Sequence, residues 1–405
     1  MAINLTEKTA QMLNPIAGVQ IFTAQAGIKK PNHTDLTLMV LGKEATVGAV
    51  FTQNRFCAAP VNVSKQHLSN ENGIRALIIN TGNANAGTGV TGREHALQMC
   101  QATAEQLGCQ DNQVLPFSTG VILEPLPIEK ITNAIPHMQP ANWADAARAI
   151  MTTDTVPKAA HQSALIGNYH TVQATGIAKG AGMIHPNMAT MLSFIATDAK
   201  IAQPVLQRLT EEIADETFNC ITVDGDTSTN DSFVIIATGK SEQNEIDNIA
   251  DPRYQQVKDL LHSVALELAQ AIVRDGEGAS KFITIKVCNA MNRDAARQVA
   301  YAIAHSPLVK TAFSASDPNL GRILAAIGYS GAAVDVEKLK VYLGDVLVAE
   351  NGGRAHSYTE EQRQRVMNED EITITIDLNQ GQAECTIYTC DLTKEYVAIN
   401  ADYRS

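Results

Sequence analysis

The stretch Lys179-Gly-Ala-Gly-Met-Ile-His-Pro-Asn-Met-Ala189-Thr190-Met-Leu-Ser-Phe-Ile-Ala-Thr197 sets a glycine-rich, proline-containing turn directly before a small residue and a threonine, and an apolar run follows. The run predicts a buried strand. A hydroxyl at the head of a core strand, fed by a flexible turn, suits a threonine that cuts the peptide bond before it. A cut between Ala189 and Thr190 frees the Thr190 α-amine beside its own Oγ, and that amine can serve as the base for a threonine nucleophile. Taken alone, the pattern is more often an ordinary glycine loop entering a strand. Other segments change the balance.

The chain has 405 residues, which is long for one core and predicts two or three packed units. With 45% hydrophobic and 18% charged residues it has a globular composition. A net charge of −12 argues against nucleic acid or an anionic membrane as the main partner, while leaving room for a local basic pocket that takes a carboxylate. The first residues lack the charged and apolar regions of a signal peptide, and no run of about 18 apolar residues occurs, so a cytoplasmic protein is expected. The cysteines (Cys57, Cys100, Cys109, Cys220, Cys288, Cys385 and Cys390) are scattered without a Cys-x-x-Cys pair, as expected of reduced thiols. The histidines have no metal-ligand spacing, and no metal is expected.

Helical and strand signals alternate along the chain, which predicts an α/β class with mixed sheets. Gly73 to Ile79 is a short apolar run, and Asn80 to Gly89 has the composition of a backbone-exposing loop. A helix is predicted from Thr91 as cap to Leu107, a second over 203–218, and a third over 254–273 with Val257, Leu260, Leu261, Val264, Leu268 and Ile272 on one face. Ile372-Thr-Ile-Thr-Ile376 alternates like a half-buried strand, Phe282 to Val287 begins another, and a helix follows over 293–305. Composition shifts at the glycine turn 176–182 and again at Arg274-Asp-Gly-Glu-Gly-Ala-Ser280, so a smaller α/β unit is expected from about residue 281 to 405.

Seven motifs, taken in order, resemble the ornithine acetyltransferase family, the bifunctional glutamate N-acetyltransferases of arginine biosynthesis. They are Asn80-Thr-Gly-Asn-Ala-Asn-Ala86, Phe117-Ser-Thr-Gly-Val-Ile122, Ile150-Met-Thr-Thr-Asp-Thr155, the Lys179 to Thr197 run, Thr222-Val-Asp-Gly-Asp-Thr-Ser-Thr-Asn-Asp231, Arg274-Asp-Gly-Glu-Gly278 and Tyr396-Val-Ala-Ile-Asn-Ala-Asp402. The chain departs from the family's usual pattern at Leu320, where tryptophan is usual, and at Ala86-Gly87, where Ala-Cys is common. Both lie beside motifs, not at reacting groups.

The resemblance implies a layered α/β/β/α sandwich similar to N-terminal-nucleophile enzymes, cleaved between Ala189 and Thr190 into associated chains 1–189 and 190–405. It implies transfer of acetyl from N2-acetyl-L-ornithine to L-glutamate through an acetyl ester on Thr190, with acetyl-CoA as a further donor and no separate cofactor. Two α and two β chains are expected to assemble as a heterotetramer. The oxyanion donors of the family map to Thr119 and Gly120. This suits a Ser-Thr-Gly turn, where glycine lets a backbone N–H face the substrate and a hydroxyl adds a second bond. The family's binding positions match Thr152, Thr153, Lys179, Thr190, Glu277, Asn400 and Ser405, the last being threonine in many relatives. Lys179 is suited to meet a carboxylate. Glu277, between Gly276 and Gly278, is a carboxylate on a mobile loop and suited to pair with an ammonium. If Asn400 and Ser405 bind substrate, the C-terminal tail must be docked rather than frayed.

His185, five residues before Thr190, is a weaker candidate for the base, since a freed amine makes it unnecessary. Asp224, Asp226 and Asp231 do not follow the EF-hand spacing and read as a hydrogen-bonded structural loop. Two other functions fit parts of the pattern. An aminopeptidase or amidase would use the same threonine with water as acceptor, and an amino-acid-binding protein would keep the loops with a silent threonine. Lys179, Glu277 and the C-terminal tail, as holders of an amino-acid acceptor, favour transfer.

Overall fold

The apolar run after the glycine turn is a strand buried along its whole length, in the second of two packed sheets. The computed structural model describes residues 2–70, 72–167, 169–185, 191–317 and 319–401. Two units are distinguished: a larger one of Thr6–Asn219 and Asp226–Ile272, and a smaller one of the residues up to Leu5, Cys220–Gly225 and the chain from Val273 onward. No helix among the described residues is long and apolar enough to cross a membrane.

The strands of the larger unit are β1 (Val19–Ala24), β2 (Leu36–Leu41), β3 (Thr46–Phe51), β4 (Ala76–Asn83), β5 (Val114–Val121), β6 (Gln139–Ala141), β7 (Lys158–Ile166), β8 (His170–Lys179), β9 (Leu192–Thr197) and β10 (Ser232–Ala237). One sheet runs β5-β4-β2-β1-β6 and the other β3-β10-β9-β8-β7. The pairs β4–β5 and β9–β10 are parallel and the other neighbours antiparallel, so both sheets are mixed, as the alternating signals predict. Its helices are α1 (Ala59–Leu68), α2 (Gly89–Leu107), α3 (Ile128–Ala134), α4 (Trp143–Ala149), α5 (Gln203–Glu216) and α6 (Pro252–Arg274).

Strand periodicity sorts the side chains into layers. Leu77 and Ile79 of β4, with Met39 and Leu41 of β2 and Leu115 and Phe117 of β5, face the second sheet and meet Leu192, Phe194 and Ala196 of β9. Phe117 and Phe194 close this inner core edge to face, with centroids 5.0 Å apart. The alternate residues Leu36, Leu38, Ala76, Ile78 and Val114 face outward against Ala96, Met99 and Cys100 of α2 and Ile131 of α3. Because β4 is covered on both faces, its sequence is a continuous apolar run rather than an alternating one. On the far side α5 covers β3, and its Gln203 and Gln207 carboxamides bond the backbones of Val47 and Ala49, closing that sheet edge. The result is helix, sheet, sheet and helix in layers.

In the smaller unit, β11 (Phe282–Ala290), β12 (Lys340–Leu343), β13 (Val346–Glu350), β14 (Gly353–Arg354), β15 (Glu371–Asp377) and β16 (Ala383–Cys390) form a sheet of order β14-β13-β12-β15-β11-β16. Its helices are α7 (Arg293–Ala304), α8 (Pro307–Ser314), α9 (Leu320–Gly328), α10 (Glu360–Met367) and α11 (Lys394–Ala401). Val299 and Ile303 of α7 and Ile323 and Ile327 of α9 pack on Ile283, Ile285, Ile374 and Ile376.

Three local expectations are corrected. The segment 80–83 is not loop but the end of β4, where Thr81 pairs with Thr119 and Gly82 with Gly120. Its buried amides are satisfied by neighbouring backbone and side chains, so polar composition there does not mean exposure. Helix α2 starts at Gly89, and Thr88, not Thr91, precedes it; the Thr88 hydroxyl donates to Asn85 at 2.7 Å. Gly176 lies inside β8 rather than in a turn. A Cβ there would meet Ile195 at 2.7 Å and Leu268 at 3.0 Å, so the missing side chain lets α6 close on the sheet. The apolar face read for α6 is buried in full. Burial of each such side chain is worth about 1.5–3 kcal/mol, so Leu261→Asn should unfold the larger unit at markedly lower temperature, as thermal melting would record.

Candidate active site

The parallel pairing of β4 with β5 sets the position of Thr119 and Gly120. Gly120 has φ +133°, and a Cβ on it would lie 2.3 Å from the Gly82 carbonyl carbon and 2.5 Å from the Asn83 nitrogen. Only glycine fits where these backbones converge. The buried Ser118 hydroxyl donates to Asn80 Oδ1 at 2.5 Å, and Asn80 Nδ2 donates to the Asn83 carbonyl at 2.9 Å. Thr119 is 8% exposed.

Lys179 ends β8 and pairs in register with Leu192, the first residue of β9. The segment between them carries the motif threonine. The Lys179 ammonium donates to Thr119 Oγ1 at 3.2 Å, which brings two of the predicted residues together from opposite sheets. A threonine hydroxyl whose oxygen accepts from a cation keeps its hydrogen for another acceptor. The pair can therefore present a polarised O–H to an oxygen that gains negative charge.

Thr152 and Thr153 occupy the turn between α4 and β7, both half-buried. The turn is held by Asp154, whose Oδ2 accepts from the Thr152 N–H at 3.0 Å. Asp154 Oδ1 accepts from Lys158 Nζ at 2.6 Å and from the Gly180 N–H at 2.7 Å. The Asp154 and Lys158 side chains are both fully buried. Desolvation pushes the Asp154 pKa up, but Lys158, Lys179 and the Gly180 N–H together outweigh it and hold the carboxyl well below the usual carboxylate range. One carboxylate thus fixes the threonine turn and the turn after Lys179.

Glu277 and Asn400 meet in the smaller unit. Asn400 Nδ2, in the last turn of α11, donates to Glu277 Oε2 at 2.8 Å. Glu277 is 7% exposed, so its carboxylate is buried rather than solvent-facing. Arg274, at the start of its loop, forms a two-pronged ion pair with Glu371 at 2.7 and 2.8 Å and lies 4.1 Å from the Phe282 ring centre. The Arg274 hydrogen bonds lead in pushing Glu371 down to about 2. The Thr393 hydroxyl donates to the Gly278 carbonyl at 2.6 Å and the Tyr396 hydroxyl to Asp224 at 3.2 Å, so α11 is docked at these points.

Ala189, Thr190 and Ser405 lie outside the described residues. The His185 carbonyl accepts from the Thr227 hydroxyl at 3.3 Å. Sequence reading missed Asp154 and Lys158 as site-forming residues. The signal was an acid inside a motif with a lysine four residues on, just beyond that motif, and Ala159 and Ala160 following the lysine. It also missed Asn230, whose Nδ2 donates to the Ala84 and Ser118 carbonyls at 2.6 and 2.8 Å.

Two packed sheets with a Lys179–Thr119 pair joining them make up the described part of the site, and comparison with known proteins gives the family. The chain belongs to the ArgJ family, whose model matches residues 20–405. It is 71% identical over 406 residues to the arginine biosynthesis bifunctional protein ArgJ of Neisseria meningitidis serogroup A, covering 100% of both chains. The protein of the same name from Neisseria gonorrhoeae is 70% identical, again over 100% of each. The crystal structure of the arginine biosynthesis bifunctional protein of Bacillus halodurans is similar with 40% identity and a TM-score of 0.50, covering 52% of this chain and 99% of that one.

Removing one member of a buried ion pair costs about 3–5 kcal/mol. Asp154→Asn should accordingly lower the thermal midpoint of the larger unit by on the order of 10 °C at neutral pH. A depressed carboxyl pKa contributes stability that is fully present above the unfolded value near about 4 and is lost as pH falls through the folded value. The gap between wild type and variant should therefore shrink below about pH 4. Calorimetry across pH checks both the size and the sign.

Proposed function

We propose that the chain is a self-processing acetyltransferase of arginine biosynthesis. It moves acetyl from N2-acetyl-L-ornithine, and from acetyl-CoA, to L-glutamate. The backbone is cut between Ala189 and Thr190, and the chains 1–189 and 190–405 stay together as a cytoplasmic heterotetramer of two α and two β chains. No cofactor takes part. Thr190 Oγ attacks the acetyl carbonyl while the Thr190 α-amine takes the hydroxyl proton. The tetrahedral oxyanion is met by the Thr119 hydroxyl and the Gly120 N–H, donors of a kind typically worth a few kcal/mol each. Collapse breaks the amide C–N bond, and the α-ammonium returns its proton to the departing ornithine amine. The glutamate amine then attacks the acetyl ester and restores the Thr190 hydroxyl. Thr152, Thr153, Lys179, Glu277, Asn400 and Ser405 hold the amino-acid substrates.

The observation that carries this reading is the Lys179–Thr119 contact in a member of the ArgJ family, at the end of the strand that leads toward Thr190. The cut is supported by the coverage of the Bacillus halodurans chain, which matches over 99% of its own length yet spans 52% of this one. Residues 190–405 likewise make up just over half of the sequence.

Denaturing mass spectrometry should give two fragments that begin at residues 1 and 190, and Thr190→Ala should leave one chain. Incubation with acetylornithine alone should add the mass of one acetyl group to the second fragment. A wild-type chain that stays intact and still transfers acetyl would refute the mechanism. Thr119→Ala should lower kcat roughly 100-fold, whereas Lys179→Met should also raise KM for glutamate. Because an α-amine titrates near pH 7.7–8.0 in ordinary surroundings, roughly, kcat/KM should fall as pH drops below that range; a flat profile down to about pH 5 would exclude the amine as base.

A further inference from the structure

β5 is an edge strand, and the carbonyls on its open side recur every second residue. Those of Val114, Pro116 and Ser118 are met by side chains. His67 Nδ1 meets the Val114 carbonyl at 2.7 Å, Ser64 Oγ donates to the Pro116 carbonyl at 2.8 Å, and Asn230 Nδ2 donates to the Ser118 carbonyl at 2.8 Å. Pro116 brings no N–H to that edge. His67 and Ser64 come from α1. Asn230 instead comes from beyond the 189–190 bond, two residues before β10.

The Asn230 side chain has one arrangement that satisfies its neighbours. Its Oδ1 accepts from the Thr229 hydroxyl at 2.6 Å, so its amide hydrogens face the carbonyls of Ala84 and Ser118. Those carbonyls lie on the two backbones that converge at Gly82 and Gly120. Asn230 is 6% exposed. The Ser118 carbonyl shares a planar peptide unit with the Thr119 N–H. Holding it fixes the rotation of the peptide immediately before Thr119.

We propose that Asn230 is a positioning residue for the acyl-oxygen pocket: carried on the chain that begins with Thr190, it clamps the strand ends of the other chain so that the Thr119 hydroxyl and the Gly120 N–H face the reacting carbonyl. This rests on the function proposed above. The clamp couples pocket and nucleophile directly, because Asn230 and Thr190 belong to one fragment and Ser118 and Thr119 to the other.

The test uses the full chain, with rates normalised to the processed fraction found by mass spectrometry. Asn230→Ala and the isosteric Asn230→Asp both lose the two donated bonds. Each should lower kcat for acetyl transfer about 10- to 100-fold with KM changed less than about threefold. Asn230→Ser keeps one donor, should recover part of the rate, and serves as the reporter if the other variants fold poorly. Adding Thr119→Ala to Asn230→Ala should cost little beyond Thr119→Ala alone, because both act on one pocket. Ser64→Ala removes the corresponding clip two residues upstream, and should lower the thermal midpoint while leaving kcat within about twofold. Wild-type kcat in Asn230→Ala, fully multiplicative losses in the double variant, or an equal kcat loss in Ser64→Ala would each overturn the proposal. Full activity in Thr119→Ala would overturn the pocket assignment itself, and the proposal with it, a result distinct from failure at Asn230 alone.

Discussion

A single desolvated carboxylate, Asp154, determines the local geometry of the larger unit's site. It accepts from the Thr152 N–H, the Gly180 N–H and the Lys158 ammonium, and so ties the first residue of β7 and the turn before it to the end of β8. An ionised carboxylate without partners would be costly in this surrounding, of the order of several kcal/mol. Its three donors are thus obligatory, and so is the distance between the turns that carry them. Lys179 leaves its strand at the end that Asp154 holds. Its ammonium reaches Thr119 Oγ1, while the neighbouring Gly180 N–H bonds Asp154.

The other half of the pocket follows a related logic with neutral groups. Where β4 and β5 run out of apolar residues, their backbones close to a separation that admits no Cβ, and amides and hydroxyls from Asn80, Asn83, Ser118 and Asn230 fill the bonding positions. Each net hydrogen bond adds only about 1 kcal/mol to stability, but a donor left unmet in such a place costs more than that. The network is therefore worth more as a specification of geometry than as a source of stability. Rigid placement is what the proposed pocket for a transient negative charge would require.

The sequence was most legible where one physical signal dominated. The face of α6 from Val257 to Ile272 and the alternation from Ile372 to Ile376 show burial at the expected period, because nothing competes with packing there. It was least legible where polar residues are buried. Asn80 to Asn83 have the composition of a loop but continue β4, since their amides bond within the sheet and composition cannot distinguish water from a backbone carbonyl as partner. Gly176 misled in the same direction: a glycine absent for want of space resembles one present for flexibility. Thr119 and Lys179 were singled out through the resemblance of their motifs, and the structure brings these residues, 60 apart in sequence, into contact. Asp154 sat within a quoted motif, but its role depends on a fold that brings Gly180 to it. Glu277 was placed on the right loop and given the wrong environment, because the helix that covers it lies more than a hundred residues downstream.

The order of strands in the second sheet would make the proposed backbone cut at residues 189–190 compatible with a lasting fold. β9 and β10 follow the cut, whereas β3, β7 and β8 precede it, and the sheet runs β3-β10-β9-β8-β7. The two later strands are therefore enclosed on both sides by earlier ones. β8 pairs with β9 in register from Ala174–Thr197 to Lys179–Leu192, and β3 pairs with β10 along its full length. A cut in the connection between β8 and β9 removes none of these bonds. It does remove the chain closure between the two strands, an entropy that depends weakly on loop length. Under the proposed cut the new end would be two residues before Leu192 in the sequence, at the head of a strand that β8 still pairs. A nucleophile can thus gain a free amine without losing the scaffold that positions it.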